Sequence, residues 1–360
     1  MDEFLQFIPA PYSAEPESGS FSWSAPSNIA LVKYWGKKPN QIPANPSISF
    51  TLKNCKTITK LEFKRKSSKG ISFDLFFEGQ PKPEFHGKIE NFFNKVRTYV
   101  PFVDDFHFTI DSRNTFPHSS GIASSASAMA ALAVNLMSVE RLLNPEISDE
   151  VFFRKASFLA RIGSGSACRS LRGSVVEWGE NPSFQDSSDL FGISVNNIHP
   201  VFQNYQDTIL LVDRGEKQVS STAGHNLMDN HPFAARRFEQ AHENLARMKS
   251  VLETGDLETF VSLVESEALT LHSMMMTSMP YFILMKPNTL EIINRIWNFR
   301  QKSNIPVCFT LDAGANVHVL YPEKNKSTVM EFIKAELLVY CQDKAYICDE
   351  IGEGAQLIDN

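Results

Sequence analysis

Four short stretches carry residue types suited to chemistry on anions. From Pro117 to Ala128 a proline, a glycine and a run of serines stand directly before the alanine-rich helical pattern Met129 to Val134. A tight loop feeding a helix start offers free backbone N–H groups and the positive end of the helix dipole, and small side chains let a phosphate come close. The bland alternative is a serine cap on a buried helix. Lys33-Tyr34-Trp35-Gly36-Lys37 sets two lysines four apart beside two aromatics and a glycine turn. That suits an anionic substrate, or else a strand end with solvated lysines. Gly163-Ser164-Gly165-Ser166-Ala167-Cys168-Arg169-Ser170 is a second Gly/Ser turn with a lone arginine on the helix expected to follow. A guanidinium fork matches a carboxylate or phosphate, although a surface arginine on a capped helix has the same sequence. Asp312-Ala313-Gly314-Ala315-Asn316 places a carboxylate between an apolar strand pattern and a small-residue turn, as a catalytic group or as a cap of its own turn.

The elements that must position these residues follow from periodicity. Residues 1 to 20, rich in Pro, Ser and Glu, read as a loosely held extension. A short strand precedes Lys33, and the runs 45–52 and 57–63 alternate like paired strands. A strand (71–77), a helix (87–99) and a strand (106–110) lead to the serine loop and its helix. Ser148 caps a further helix over 151–162. The basic run Lys64 to Lys69 reads as a solvated hairpin turn. From about residue 200 the pattern changes: a strand (208–212), a polar loop (215–222), helices over 233–252, 257–271 and 289–302, strands at 306–311 and 317–321, a helix (328–339) and a strand (345–348). The division expected is an extension (1–20), an N-terminal domain (21–200) with the phosphate loop, and a C-terminal domain (201–360) carrying Asp312. Together they make an α+β fold.

With 360 residues the chain exceeds one typical core, so two domains are the default. A hydrophobic content of 42% and a formal net charge of −6 fit a globular protein without an electrostatic footprint for nucleic acid. The five dispersed cysteines lack metal or disulfide spacing and predict reduced thiols in the cytoplasm. No apolar run reaches membrane-spanning length.

In order and content the four stretches resemble the GHMP kinase superfamily and, within it, the diphosphomevalonate decarboxylase family. The superfamily's phosphate loop is Pro-x-x-x-Gly-x-Gly/Ala-Ser-Ser-Ala, and Pro117 to Ala126 fits it, with Ala123 in the form typical of the decarboxylases. Ala25 to Lys37 matches Ala-Pro-x-Asn-Ile-Ala-x-x-Lys-Tyr-Trp-Gly-Lys, and Gly163 to Ser170 and Asp312 to Gly314 complete the set. The resemblance spans about residues 22–358. Departures stand at His118-Ser119-Ser120, at Ala315 where the family has proline, and at His225, which follows Gly224 where the family has methionine.

The resemblance implies a two-lobed GHMP fold, with an N-terminal domain like ribosomal protein S5 and a C-terminal ferredoxin-like α/β sandwich. It implies an ATP- and Mg²⁺-dependent enzyme turning (R)-mevalonate 5-diphosphate into isopentenyl diphosphate, carbon dioxide, ADP and phosphate. Phosphorylating the tertiary 3-hydroxyl would make it a leaving group. Asp312 would orient or deprotonate that hydroxyl, Lys33 would pair with Asp312, and Arg169 would hold the substrate carboxylate. Ser125 would sit near the β/γ-phosphates and the metal. Tyr34, Lys37, Ser164, Gly165 and Ser166 are implied for the substrate, and Asn114, Ser119, Ser120, Gly121, Ala123 and Ser124 for ATP. The metal would be held mainly by phosphates, without dedicated ligands. A homodimer is implied, with neither nucleic acid nor membrane as partner. Mevalonate 5-phosphate as substrate, a kinase of the same fold and a non-catalytic binding module are the alternatives.

Overall fold

The computed structural model describes residues 3–117, 122–215 and 221–358. Its strands are β1 (Ser18–Val32), β2 (Ser47–Arg65), β3 (Phe73–Phe77), β4 (Phe106–Asn114), β5 (Val175–Trp178), β6 (Gln206–Leu210), β7 (Cys308–Thr310), β8 (Val317–Tyr321), β9 (Tyr346–Glu350) and β10 (Gln356–Leu357), besides shorter pieces. The longer helices are α1 (Pro83–Val96), α2 (Ser124–Leu143), α3 (Asp149–Gly163), α4 (Ala234–Thr254), α5 (Leu257–Met276) and α6 (Pro287–Ser303).

The N-terminal lobe is one mixed sheet in the order β10-β1-β2-β4-β3, with β5 added on β2. Helices α2 and α3 fill its apolar face, and Ala126, Ala130 and Ala133 let α2 lie close to the strands. By length and composition α2 is apolar enough to span a membrane, contrary to the expectation from the sequence, but 83% of its most apolar stretch is buried inside the protein. The C-terminal lobe is an antiparallel sheet in the order β7-β8-β6-β9. That order, with a helical crossover between β6 and β7, is the ferredoxin-like arrangement, and α5 and α6 cover the sheet.

Several local expectations change. The runs 45–52 and 57–63 are one continuous strand, β2, paired with β1 over Ile48–Thr51 and again over Lys56–Lys64. Its first six residues are buried on both faces and the rest alternates, because the second lobe covers only the first part. Between the two halves the ladder skips, and the Asp349 carboxylate of β9 accepts the backbone N–H groups of Lys53, Asn54 and Cys55 at 3.0, 2.8 and 2.7 Å. The lobes therefore share a core: Phe50 of β2 lies 6.0 Å from Phe260 of α5. The division at residue 200 is blurred again at the C-terminus, where β10 returns to pair with β1. The Lys64 to Lys69 run is no hairpin, since β3 pairs with β4 and not with β2.

Residues 3–20 are not loose. Phe7 is buried and stacks on Phe158 at 3.9 Å, and the N–H groups of Ser13 and Ala14 bond the Leu143 carbonyl. Phenylalanines among the prolines supply the anchor that overall composition hid.

Candidate active site

Lys33 leaves the end of β1 at the seam between the lobes, and Asp312 leaves the end of β7 opposite it. Lys33 Nζ lies 3.2 Å from Asp312 Oδ1, with the lysine 2% and the aspartate 30% exposed. Burial pushes the Lys33 pKa below its ordinary range, opposed by the Asp312 and Glu267 carboxylates. The pair is anchored from behind. Glu267 of α5 accepts from the Lys33 backbone N–H at 2.8 Å, from both Arg237 Nη atoms at 2.9 and 2.6 Å, and from Asn244 Nδ2 at 2.6 Å. His272, one turn on along α5, meets the Asp312 carbonyl at 3.1 Å through Nε2. Burial pushes the His272 pKa down to about 4, so at neutral pH the ring is uncharged and donates. Asp312 thus faces Lys33 with its side chain while its backbone is held by His272 and by the Gly314 N–H at 2.7 Å.

Arg169 stands on a buried 3₁₀ segment, Gly165–Ser170, rather than on the surface helix that its sequence also allowed. Its guanidinium lies 5.7 Å over the Trp178 ring, donates to Ser47 Oγ and reaches Asn28 Oδ1 at 3.4 Å. Its Nε and the Tyr34 hydroxyl are buried without a hydrogen-bond partner. Nearby Glu177 of β5 is fully buried with neither oxygen paired, and burial raises its pKa well above the carboxylate range against the pull of Arg169.

Around these groups lies a cavity of about 500 Å³, whose wall includes Lys33, Tyr34, Lys37, Arg169 and Asp312. Ser164, Gly165 and Ser166 line it, and a Cβ on Gly165 would come within 3.0 Å of the Tyr34 hydroxyl, so the glycine lets the tyrosine in. On another side the wall is the start of α2: Ala123, Ser124 and Ser125, with Ser125 Oγ 3.4 Å from Ser164 Oγ. Ala123 sits at the N-cap in the left-handed region (φ 42°) and makes no side-chain cap bond, so the first N–H groups of a twenty-residue helix are left for an incoming group. These small residues and open N–H groups fit nucleotide phosphates.

The expected residues divide clearly. Lys33, Tyr34, Lys37, Ala123, Ser124, Ser125, Ser164, Gly165, Ser166, Arg169 and Asp312 share one cavity wall. Asn114 does not reach it; its Oδ1 accepts from Thr57 Oγ1 at 2.8 Å, and Thr57 is in turn 2.6 Å from Ser127 Oγ of α2, a bracing role. His118, Ser119, Ser120 and Gly121 lie outside the described residues. Among the described residues no three His, Cys, Asp or Glu side chains gather as a metal site. Sequence reasoning missed His272 and Glu267, whose helix reads as ordinary packing, and Lys88 of α1, which joins the wall. Asn28 was visible inside a motif but received no role; its Nδ2 bonds the Ser166 carbonyl at 3.1 Å and Ser170 Oγ at 2.8 Å, fixing the turn that bears Arg169.

Two lobes of this topology, meeting over a bare helix start and a Lys–Asp pair, define the GHMP class of fold. Solved structures agree. The mevalonate diphosphate decarboxylase from Staphylococcus aureus is 29% identical, with a TM-score of 0.82 over 95% of this chain and 98% of that one. A structure described as MDDEF in complex with MVAPP, AMPPCP and magnesium is 28% identical, with a TM-score of 0.81 over 95% of this chain and all of that one. The diphosphomevalonate decarboxylase of Debaryomyces hansenii is 29% identical over 332 residues, covering 87% of this chain and 82% of the relative. That of Saccharomyces cerevisiae is 29% identical over 333 residues, covering 87% and 80%. Residues 25–189 match the diphosphomevalonate decarboxylase-like N-terminal domain, and residues 208–354 match the mevalonate 5-diphosphate decarboxylase C-terminal domain. The chain belongs to the diphosphomevalonate decarboxylase family.

Proposed function

We propose that this protein catalyses the ATP-dependent decarboxylation of mevalonate 5-diphosphate to isopentenyl diphosphate. The observation that carries the reading is the convergence of the Lys33–Asp312 pair, Arg169 and the bare start of α2 on one cavity. Asp312 orients the 3-hydroxyl and takes its proton as the hydroxyl oxygen bonds to the γ-phosphorus of ATP, while the bond from that phosphorus to the β-phosphate oxygen breaks and ADP leaves. Lys33 offsets the charge gathered around Asp312 and the transferring group. Arg169 holds the carboxylate through its fork, in line with the carbon that loses phosphate. As phosphate leaves, that carbon becomes electron-poor; the bond to the carboxylate breaks, its electrons form the alkene, and carbon dioxide departs.

The start of α2, with Ser124 and Ser125, cradles the nucleotide phosphates. Mg²⁺ would be held mainly by those phosphates, with Ser125 the side chain that would reach it, and would supply the charge neutralisation that phosphoryl transfer needs. Tyr34, Lys37 and the Ser164–Ser166 turn serve the diphosphate tail and the carboxylate end. A cytoplasmic location is supported by five unbridged cysteines. The partners assigned are the substrate, ATP and a second copy of the chain, with neither nucleic acid nor membrane; light scattering tests the dimer.

The test of function is a single incubation with ATP and Mg²⁺, following ADP and carbon dioxide together. With mevalonate 5-diphosphate the two should appear in equal amounts, and with mevalonate 5-phosphate more slowly. ADP without carbon dioxide would make the protein a kinase, and neither product would remove the enzymatic reading.

A further inference from the structure

His225 is the wall residue whose type departs from the family pattern, and its surroundings are built. It belongs to the short helix Ser221–Asn226, held close to the site because Gly224 has no Cβ; one there would lie 2.5 Å from the Trp35 ring. The imidazole centroid is 4.2 Å from Tyr34 and 4.9 Å from Trp35. Its Nδ1 accepts the Gly36 backbone N–H at 3.1 Å. Gly36 makes that turn at φ 89°, where a Cβ would also press on Ala44 and Phe238 at 3.1 Å.

An Nδ1 that accepts a hydrogen bond carries no proton, so the neutral ring bears its proton on Nε2. Burial, then Lys37 and Arg169, push its pKa down to about 3 and keep it neutral. Among the described residues the side-chain hydrogen bond of His225 is the one at Nδ1, and none engages Nε2. His225 shares the cavity wall with Tyr34 and Lys37, the residues assigned to the diphosphate tail.

We propose that His225 is a specificity-determining residue, donating its Nε2–H to the diphosphate tail of the substrate where a methionine thioether has no proton to give. This rests on the decarboxylase reading for the identity of the ligand. A neutral donor also explains how another contact fits beside Lys37 and Arg169 without adding to their mutual repulsion.

The test compares wild type, His225→Met and His225→Gln, each shown folded by its melting temperature. Calorimetric titration with mevalonate 5-diphosphate should show His225→Met weakened about 10-fold or more, the worth of one hydrogen bond to a charged group, and His225→Gln recovering much of it. In steady state the loss should fall on KM for the diphosphate, with kcat and KM for ATP little changed and the monophosphate less affected. Undiminished binding by folded His225→Met, or a loss shared equally with ATP, would overturn the assignment. Because titration needs no turnover, an inactive wild type would count against the decarboxylase reading alone.

Discussion

The two walls of the cavity are built on opposite terms. On the Asp312 side, buried charges are largely matched: Glu267 receives four hydrogen bonds, and Arg237, itself 1% exposed, is held at both terminal nitrogens and leaves over its Nε. On the Arg169 side, buried polar atoms of the wall are left over, namely Arg169 Nε and the Tyr34 hydroxyl. Leaving such groups unpaired is costly, so under the proposed function the contrast separates a wall that fixes geometry from one that substrate would complete.

The largest expected effect tests the matched wall. Glu267→Gln strands the buried Arg237 charge and should cost about 3–5 kcal/mol in urea denaturation. A loss below about 1 kcal/mol, the worth of a surface pair, would erase the contrast. Arg169→Lys tests the other wall. Losing two charge-assisted hydrogen bonds should lower kcat/KM about 100-fold with stability nearly unchanged. Equal damage to folding would show that Arg169 is as structural as Glu267.

The neutral histidines give a smaller, pH-dependent effect. His225 and His272 have folded values near 3 and 4 against an ordinary 6.5, so as pH falls the unfolded chain protonates first. Their contribution is complete above 6.5 and is lost progressively as pH drops towards those folded values. At pH 5 each should account for about 2 kcal/mol of lost stability relative to pH 7. His272→Gln should therefore flatten the acid limb of a stability profile, and an unchanged limb would refute the buried neutral state. Smallest is Ala123→Gly. Relieving a left-handed alanine should stabilise the fold by up to about 1 kcal/mol in the same denaturation assay, less the entropy that glycine restores to the unfolded chain.

Legibility in the sequence followed the same division. Lys33, Arg169, Asp312 and the serine-rich helix start sit in local motifs that each left a structural reading open, and it was their order along the chain and their joint resemblance to the decarboxylase family that singled them out. Glu267, Arg237, Asn244 and His272 lie on helices with ordinary apolar spacing. Their roles depend on partners such as Lys33, 234 positions from Glu267, and no local pattern encodes that distance. The two lobes were legible from periodicity, while the unbroken course of β2 was not, because the Asp349 clamp at Lys53 to Cys55 interrupts its alternation. The short strand bearing Glu177 has too few residues to show any period.

The most direct test of the central claim is Asp312→Asn, assayed for ADP and carbon dioxide in a single turnover alongside calorimetric titration with ATP. Both products should fall together by about 1,000-fold while ATP affinity stays within about twofold, the signature of a lost proton acceptor rather than a lost binding site. ADP formation near the wild-type rate would contradict the assignment of Asp312 to the phosphorylation step.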